Sequence, residues 1–295
     1  MSKKILISFS GGETSGYMLK FLLEKYANDS SVELLTVFAN TGDEREETLQ
    51  FVDMCDKHFN ANVVWVECVT NPNKGDGVTA KVVDYNTASR NAEPFKAMVA
   101  KFGIPNQKFP HCSRELKGRT IKAFARSVGW KKYETAIGIR FDEPKRLDWE
   151  KAKRERLIYP LASDILIKKP MVNQFWREMP FRLNLKSYEG NCKVCWKKSL
   201  RKLMTIAVEN PKAFQAFQEI EMEYGYFLPD ESKKNSVTLP IRFFRGNMTV
   251  EDIFEEARFP FEKARDEKFD YSYQSDLWSE FMDSNAGCVE SCEAF

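Results

Sequence analysis

The chain has 295 residues, 43% apolar and 30% charged, a soluble globular composition with material for one large domain or one domain plus a smaller one. The net charge is only +2. No apolar run approaches membrane-spanning length and no signal-peptide pattern follows Lys3-Lys4, so no membrane-spanning helix is expected and a cytoplasmic location is the default expectation.

Seven cysteines in such a setting argue for metal or redox use rather than a disulfide framework. Two histidines, His58 and His111, are too few for a mechanism built on several imidazoles. Charge is unevenly spread: Cys112 to Lys202 holds 24 Lys/Arg against 10 Asp/Glu, whereas Glu251 to the end holds 4 against 13. The basic middle suits a nucleotide or a polyanionic partner such as tRNA or DNA. The acidic tail suits a solvated surface or a cover over that middle.

Lys3-Lys4-Ile5-Leu6-Ile7 reads as a buried strand, and Tyr17, Met18, Phe21 and Leu22 recur at helical spacing after it. Between them lies Ser8-Phe9-Ser10-Gly11-Gly12-Glu13-Thr14-Ser15. Two glycines allow a tight backbone, and the hydroxyls with the free N–H groups of the helix start make an anion cradle. The plainer alternative is a capped strand–helix turn. The stretch lacks the Gly-Lys-Ser/Thr of a Walker A loop and the three spaced glycines of a dinucleotide fingerprint. It resembles the PP-loop, Ser-Gly-Gly-x-Asp-Ser, of the ATP pyrophosphatases and the sulfonucleotide (PAPS) reductases, with Thr14 where that loop usually has Asp.

Val32 to Ala39 reads as a second strand, Asn40-Thr41-Gly42 as a turn, and Glu46 to Phe59 as a helix with Leu49, Val52, Cys55 and Phe59 on one face. Cys55, and Cys68 at the end of a third strand over Asn62–Glu67, are expected core thiols. Strands alternating with helices predict a parallel sheet whose ligands sit beyond the carboxyl ends of the strands. Asn40-Thr41-Gly42 with Glu47-Thr48 and Phe51-Val52 resembles a second block of the same superfamily. The stretch from Asn71 to Asn91 is ambiguous, and Glu93 to Phe102 is a predicted helix.

Ser113 is the predicted cap of a helix carrying Leu116, Phe124 and Val128 inward. Cys112 at its start lies near several cations, a setting that favours thiolate. Glu134 to Arg140 is a predicted strand, and Gly138-Ile139-Arg140-Phe141-Asp142-Glu143 with Arg146 resembles a third block, whose arginines meet the phosphate or sulfate end of a nucleotide. A guanidinium suits that task by its bidentate donors. Cys192-Lys193-Val194-Cys195 is predicted to open a long basic helix, and Thr249 to cap another.

The resemblance implies a PP-loop, adenine nucleotide hydrolase-like α/β fold over residues 1–165. A mostly helical extension, 166–295, carries the Cys-x-x-Cys and the acidic tail. The chain is similar to phage-encoded PAPS-reductase-like proteins, the resemblance running from about Lys3 to Leu203 and not reaching the last third. The resemblance also implies an adenine-nucleotide site at Ser8, Phe9, Ser10, Gly11, Gly12, Glu13, Thr14, Ser15, Asn40, Thr41, Gly42, Gly138, Arg140 and Arg146. ATP with Mg2+ is the expected ligand, and Ser10, Ser15, Lys117 and Arg140 are the candidate catalytic residues.

His111, Cys112, Cys192 and Cys195 are the candidate metal ligands. A [4Fe–4S] cluster is expected by analogy, and zinc obeys the same spacing. Because reductases tend to lose the Ser-Gly-Gly-x-x-Ser loop and ATP-using members keep it, the leading expectation is ATP-dependent adenylation with pyrophosphate release. Sulfur transfer from a sulfur donor would follow. The alternatives are a sulfonucleotide reductase drawing on a thiol reductant, with Cys288 or Cys292 as a mobile redox arm, and a nucleotide-sequestering protein without turnover.

Overall fold

Ile5, Leu6 and Ile7 have no exposed surface, which is what a central strand covered on both faces requires. They form β1 (Lys3–Ser8) in a computed structural model that describes residues 2–73, 75–229 and 237–269. The chain continues through α1 (Glu13–Lys25), β2 (Val32–Asn40), α2 (Glu46–Phe59), β3 (Val64–Thr70), β4 (Val78–Val83) and α3 (Glu93–Phe102). Wide π-type turns over Cys112–Arg119 lead into α4 (Thr120–Ser127). Then come β5 (Glu134–Ala136), α5 (Trp149–Glu155), β6 (Leu157–Ile158), α6 (Pro160–Ser163), α7 (Lys169–Glu178), α8 (Leu200–Glu209), α9 (Gln215–Tyr224) and α10 (Val250–Glu256).

The six strands lie in the order β4-β3-β2-β1-β5-β6, all parallel except β4, which runs antiparallel to β3 at one edge. The α/β sheet expected from the sequence is therefore present. Alternation along β1 sends its side chains to two cores. Ile5 and Ile7 pack with Met18, Leu19 and Leu22 of α1, Leu49 and Val52 of α2, and Val172 and Trp176 of α7. Leu6 joins Val37, Ala39 and Val66 against Ile121, Phe124 and Ala125 of α4. A third core sets α3 (Phe95, Met98, Val99) on α8, α9 and α10 through Leu203, Ile206, Phe217, Ile220 and Ile253. Each such side chain contributes about 1.5–3 kcal/mol on burial.

Several elements differ from expectation. Strand β4 falls in the ambiguous stretch because an edge strand leaves Thr79, Lys81 and Val82 exposed and so blurs the apolar pattern. Strand β5 stops at Ala136: the Ile137 N–H makes the last ladder bond, to the Ile158 carbonyl (3.0 Å), and the Ile139 N–H then turns back onto the Ile137 carbonyl (2.9 Å). Cys192–Cys195 does not open a helix: the Lys193 N–H bonds the Asp43 carbonyl (3.0 Å), and Glu44 and Cys192 form an antiparallel bridge. Helix α8 begins later, where the Ser199 hydroxyl accepts from the Lys202 N–H. Ser113 is inside the π-type turns rather than capping them.

Cys55 and Cys68 are core thiols, and burial pushes both of their pKa values up. His58 stacks edge-on against Phe59 and Phe181. Thr249 caps α10 through a reciprocal pair with Asp252. Cys288 and Cys292 lie outside the described residues. Among the described residues no helix is long and apolar enough to cross a membrane.

Candidate functional site

The chain leaves β1 outward through β2 and β3, then returns to the other side of β1 as β5. The crevice beyond the carboxyl ends of β1 and β5 is thus a topological switch point, where open α/β sheets bind ligands. The loop after β1 holds Ser8–Ser15, and the loop after β5 holds Gly138–Arg140. A Cβ on Gly138 would meet the Ser15 Cα at 3.0 Å, so glycine there lets the two loops close on each other.

Ser15 organises the first loop. Its Oγ accepts from the Ser10 N–H (3.2 Å), the Ser10 hydroxyl (2.9 Å) and the Gly12 N–H (3.3 Å), and its own hydroxyl donates to the Gly12 carbonyl (2.9 Å). Gly11 has φ +79°, and a Cβ there would stand 2.8 Å from Thr48 Cγ2. The loop ends at the amino end of α1, whose dipole and first-turn N–H groups favour an anion.

Glu13 is a buried carboxylate in this anion loop, and the extension neutralises it. Arg182 grips it with two bonds (3.0 and 3.1 Å), and Lys268 Nζ stands 3.9 Å away. Burial pushes the Lys268 ammonium pKa down, with Glu13 opposing that shift. The Trp176 indole N–H donates to the Glu13 carbonyl (2.8 Å). Arg182, Lys268 and Trp176 were invisible to motif reading, because they reach the loop only through tertiary packing.

Arg140 is 4% exposed. Its guanidinium bonds Asp142 (2.8 Å) and donates to the Thr14 hydroxyl (3.2 Å), so the β5 loop and the β1 loop are joined at the residue that departs from the PP-loop pattern. Arg146 pairs with Glu143 in the following turn.

The turn after β2 lies on the same rim. Asn40 donates to Glu67 (2.7 Å) and to the Ser89 carbonyl (2.9 Å), and Gly42 takes φ +80°. The Thr41 N–H and hydroxyl both donate to Glu44 (2.8 Å each). Asp43, Glu44 and Arg45, three charged residues in a row, are all buried. Burial pushes the Asp43 pKa up to about 8, Glu44 adding to the shift and Lys193, Lys198 and Arg45 opposing it.

Residues 189–198 fold over this turn. Glu44 Oε1 accepts from Cys192 Sγ (3.9 Å) and lies 3.9 Å from Lys117 Nζ. Lys198 is buried beside Cys195 and Cys192; burial pushes its pKa down and the two cysteines pull it back up. The Trp196 indole N–H donates to Cys112 Sγ (3.4 Å), and Lys197 Nζ donates to the Ser113 hydroxyl (3.1 Å). Arg45, Lys117, Lys198 and Lys202 are four buried cations. Such surroundings stabilise negative charge, including that of thiolates. Arg45 pairs with Glu189 (3.3 Å), while its Nε and NH2 are buried without a hydrogen-bond partner.

Of the four candidate metal ligands, Cys192 and Cys195 share a loop that reaches Cys112 through Trp196. Nδ1 of His111 accepts from Arg114 (2.9 Å), and its ring stacks on Phe102 and Phe109. Because guanidinium can only donate, this bond uses the Nδ1 lone pair and leaves the imidazole proton on Nε2. The thiols suit iron or zinc by their chemistry. Among the described residues no group of three or more His, Cys, Asp or Glu side chains is positioned to hold one ion.

Comparison with known proteins agrees with this geometry. The model of the phosphoadenosine phosphosulfate reductase domain matches residues 4–157, more than half of the chain. The chain belongs to that family. The family match spans the loops after β1, β2 and β5 and the π-type turns, and stops before Arg182, Cys192, Cys195 and Lys268. A relative that does span them is an uncharacterized nin region protein, ORF290, of Escherichia phage lambda, 29% identical over 294 residues that cover 98% of this chain and 94% of the relative. No solved structure matches. Members of the phosphoadenosine phosphosulfate reductase family generally bind adenine nucleotides and are generally catalytic.

Proposed function

We propose that the rim binds ATP and cleaves it between the α and β phosphates, adenylating an oxygen of an acceptor that sulfur then displaces. The carrying observation is the Ser15-centred loop at the amino end of α1, adjoining a buried arginine and facing a rim that also holds three thiols. In this reading the loop N–H groups and α1 hold the departing pyrophosphate, and Arg140 offsets the charge that develops on it. Thr14 gives Arg140 a neutral partner where an aspartate would add negative charge against the incoming phosphates. Lys117, held by Glu44, supplies a further cation toward the thiol loop.

Cys112, Cys192 and Cys195 are the sulfur-handling groups. A [4Fe–4S] cluster or zinc would draw on these same three thiols, which would have to close on it from the separate positions they take here, with the fourth position left to an outside ligand. Such a centre, when bound, supplies an electrophilic site for sulfur. Mg2+ would accompany the nucleotide, and the basic middle of the chain suits a tRNA or DNA acceptor.

The test is release of pyrophosphate and AMP from ATP. Ser15→Ala should lower it about 100-fold, the scale of losing a preorganised donor set around a developing charge. A wild-type protein that binds ATP without releasing pyrophosphate would reduce the site to nucleotide sequestration. Sulfite release from a sulfonucleotide, abolished by Cys288→Ser or Cys292→Ser, would replace the proposal with a reductase. Iron, sulfide and zinc analysis of anaerobically prepared wild type against Cys195→Ala decides the metal.

A further inference from the structure

Asn191 precedes Cys192 and is 4% exposed. Its side-chain N–H donates to the Ser10 carbonyl at 2.6 Å, inside the nucleotide loop. Its own backbone carbonyl accepts from the Arg45 N–H (2.9 Å) and from the Thr48 hydroxyl (3.5 Å). One residue therefore touches the loop after β1, the turn after β2 and helix α2, while its neighbour Cys192 is bridged to Glu44. Neither α1 nor the sheet makes this link. The thiol loop is fastened by this amide to a loop 181 residues earlier in the chain.

We infer that Asn191 is a positioning residue that ties the order of the Cys192–Cys195 loop to occupancy of the Ser8–Ser15 loop. The inference rests on the nucleotide reading of that loop. An anion drawn onto the loop N–H groups fixes the peptide that carries the Ser10 carbonyl. A fixed carbonyl holds the Asn191 amide, and the amide holds the residues that carry the thiols. Because coupling is reciprocal, order in the thiol loop also favours the occupied nucleotide loop. Only a donor serves at this position. The substitution Asn191→Asp would set a carboxylate oxygen against the Ser10 carbonyl oxygen with almost no change of volume.

Hydrogen–deuterium exchange of full-length wild type and Asn191→Asp, each with and without ATP and Mg2+, reads both loops at once and does not depend on the state of the thiols. In wild type, ATP should slow exchange in peptides covering residues 8–16 and also in those covering 189–196, the latter about five-fold, the low end for coupled sites. In Asn191→Asp the first effect should persist and the second should fall to less than half of its wild-type size. Unchanged exchange at 8–16 in wild type overturns the nucleotide reading and the coupling with it. Protection at 8–16 without protection at 189–196 overturns the coupling alone. Equal protection of 189–196 in both proteins shows that ATP shields that loop directly and overturns the role of Asn191. Asn191→Ala guards against an effect of the new charge and should behave as Asn191→Asp does.

Discussion

Thr14 and Glu13 show how far single residues of the rim depend on partners distant in sequence. Thr14 accepts from Arg140, and Glu13 is held by Arg182 and Lys268. The hydroxyls and glycines of the loop could be read from the sequence because their spacing is local. The neutralisation of Glu13 could not, because its cations lie more than 160 residues away.

A half-buried carboxylate, Glu221 on α9, makes the residue scale testable by pH. Its carboxylate accepts from the Val250 N–H (2.9 Å) and the Phe243 N–H (3.4 Å), but burial dominates and pushes its pKa from 4.5 up to about 7. The folded state thus holds this proton more tightly than the unfolded one. The stability it contributes is full below pH 4.5 and is lost as pH rises through about 7. Thermal unfolding should show Glu221→Gln gaining on wild type between about pH 5 and about pH 7.5, with a constant difference above that. A difference independent of pH would contradict the shift.

At the scale of elements, α1 and α7 meet so closely that the helix contact and the nucleotide loop share one constraint. Gly16 in α1 leaves room for Trp176: a Cβ there would stand 2.8 Å from Cζ2 of that ring. The same ring donates to the Glu13 carbonyl. Gly16→Ala should destabilise the fold, overpacking costing about 1–3 kcal/mol against a gain of up to about 1 kcal/mol from replacing a helical glycine. Because Trp176 must move, ATP affinity should fall with it; calorimetric binding together with denaturant unfolding checks both effects. Helices with a clean apolar period, α2 and α3, were legible to the residue. The 189–198 loop was not, since its backbone pairs across the fold rather than along a helix: the Lys193 N–H donates to the Asp43 carbonyl and the Asn191 carbonyl accepts from the Arg45 N–H. Strand β4 was illegible for the reason common to edges, one solvated face and a broken alternation.

Over the whole molecule, the order of strands brings three sequence blocks to one crevice, and the helical segments after residue 166 complete it with Trp176, Arg182, Cys192, Cys195 and Lys268. The blocks were legible because each is a short loop at the end of a strand whose apolar pattern announces it. That the thiols and the Ser8–Ser15 loop adjoin follows from the pairing of residues 191–193 with 43–45 and from the bond of Asn191 to the Ser10 carbonyl. The buried cations and the family both favour an anionic ligand at this crevice. Titration of ATP with Mg2+ into wild type and Arg140→Gln by isothermal calorimetry tests that claim directly. One ATP should bind per wild-type chain, and the variant should bind it about 10- to 100-fold more weakly, the worth of a charged hydrogen bond. No binding to wild type, or equal affinity in the two proteins, would contradict the assignment of this rim as the nucleotide site.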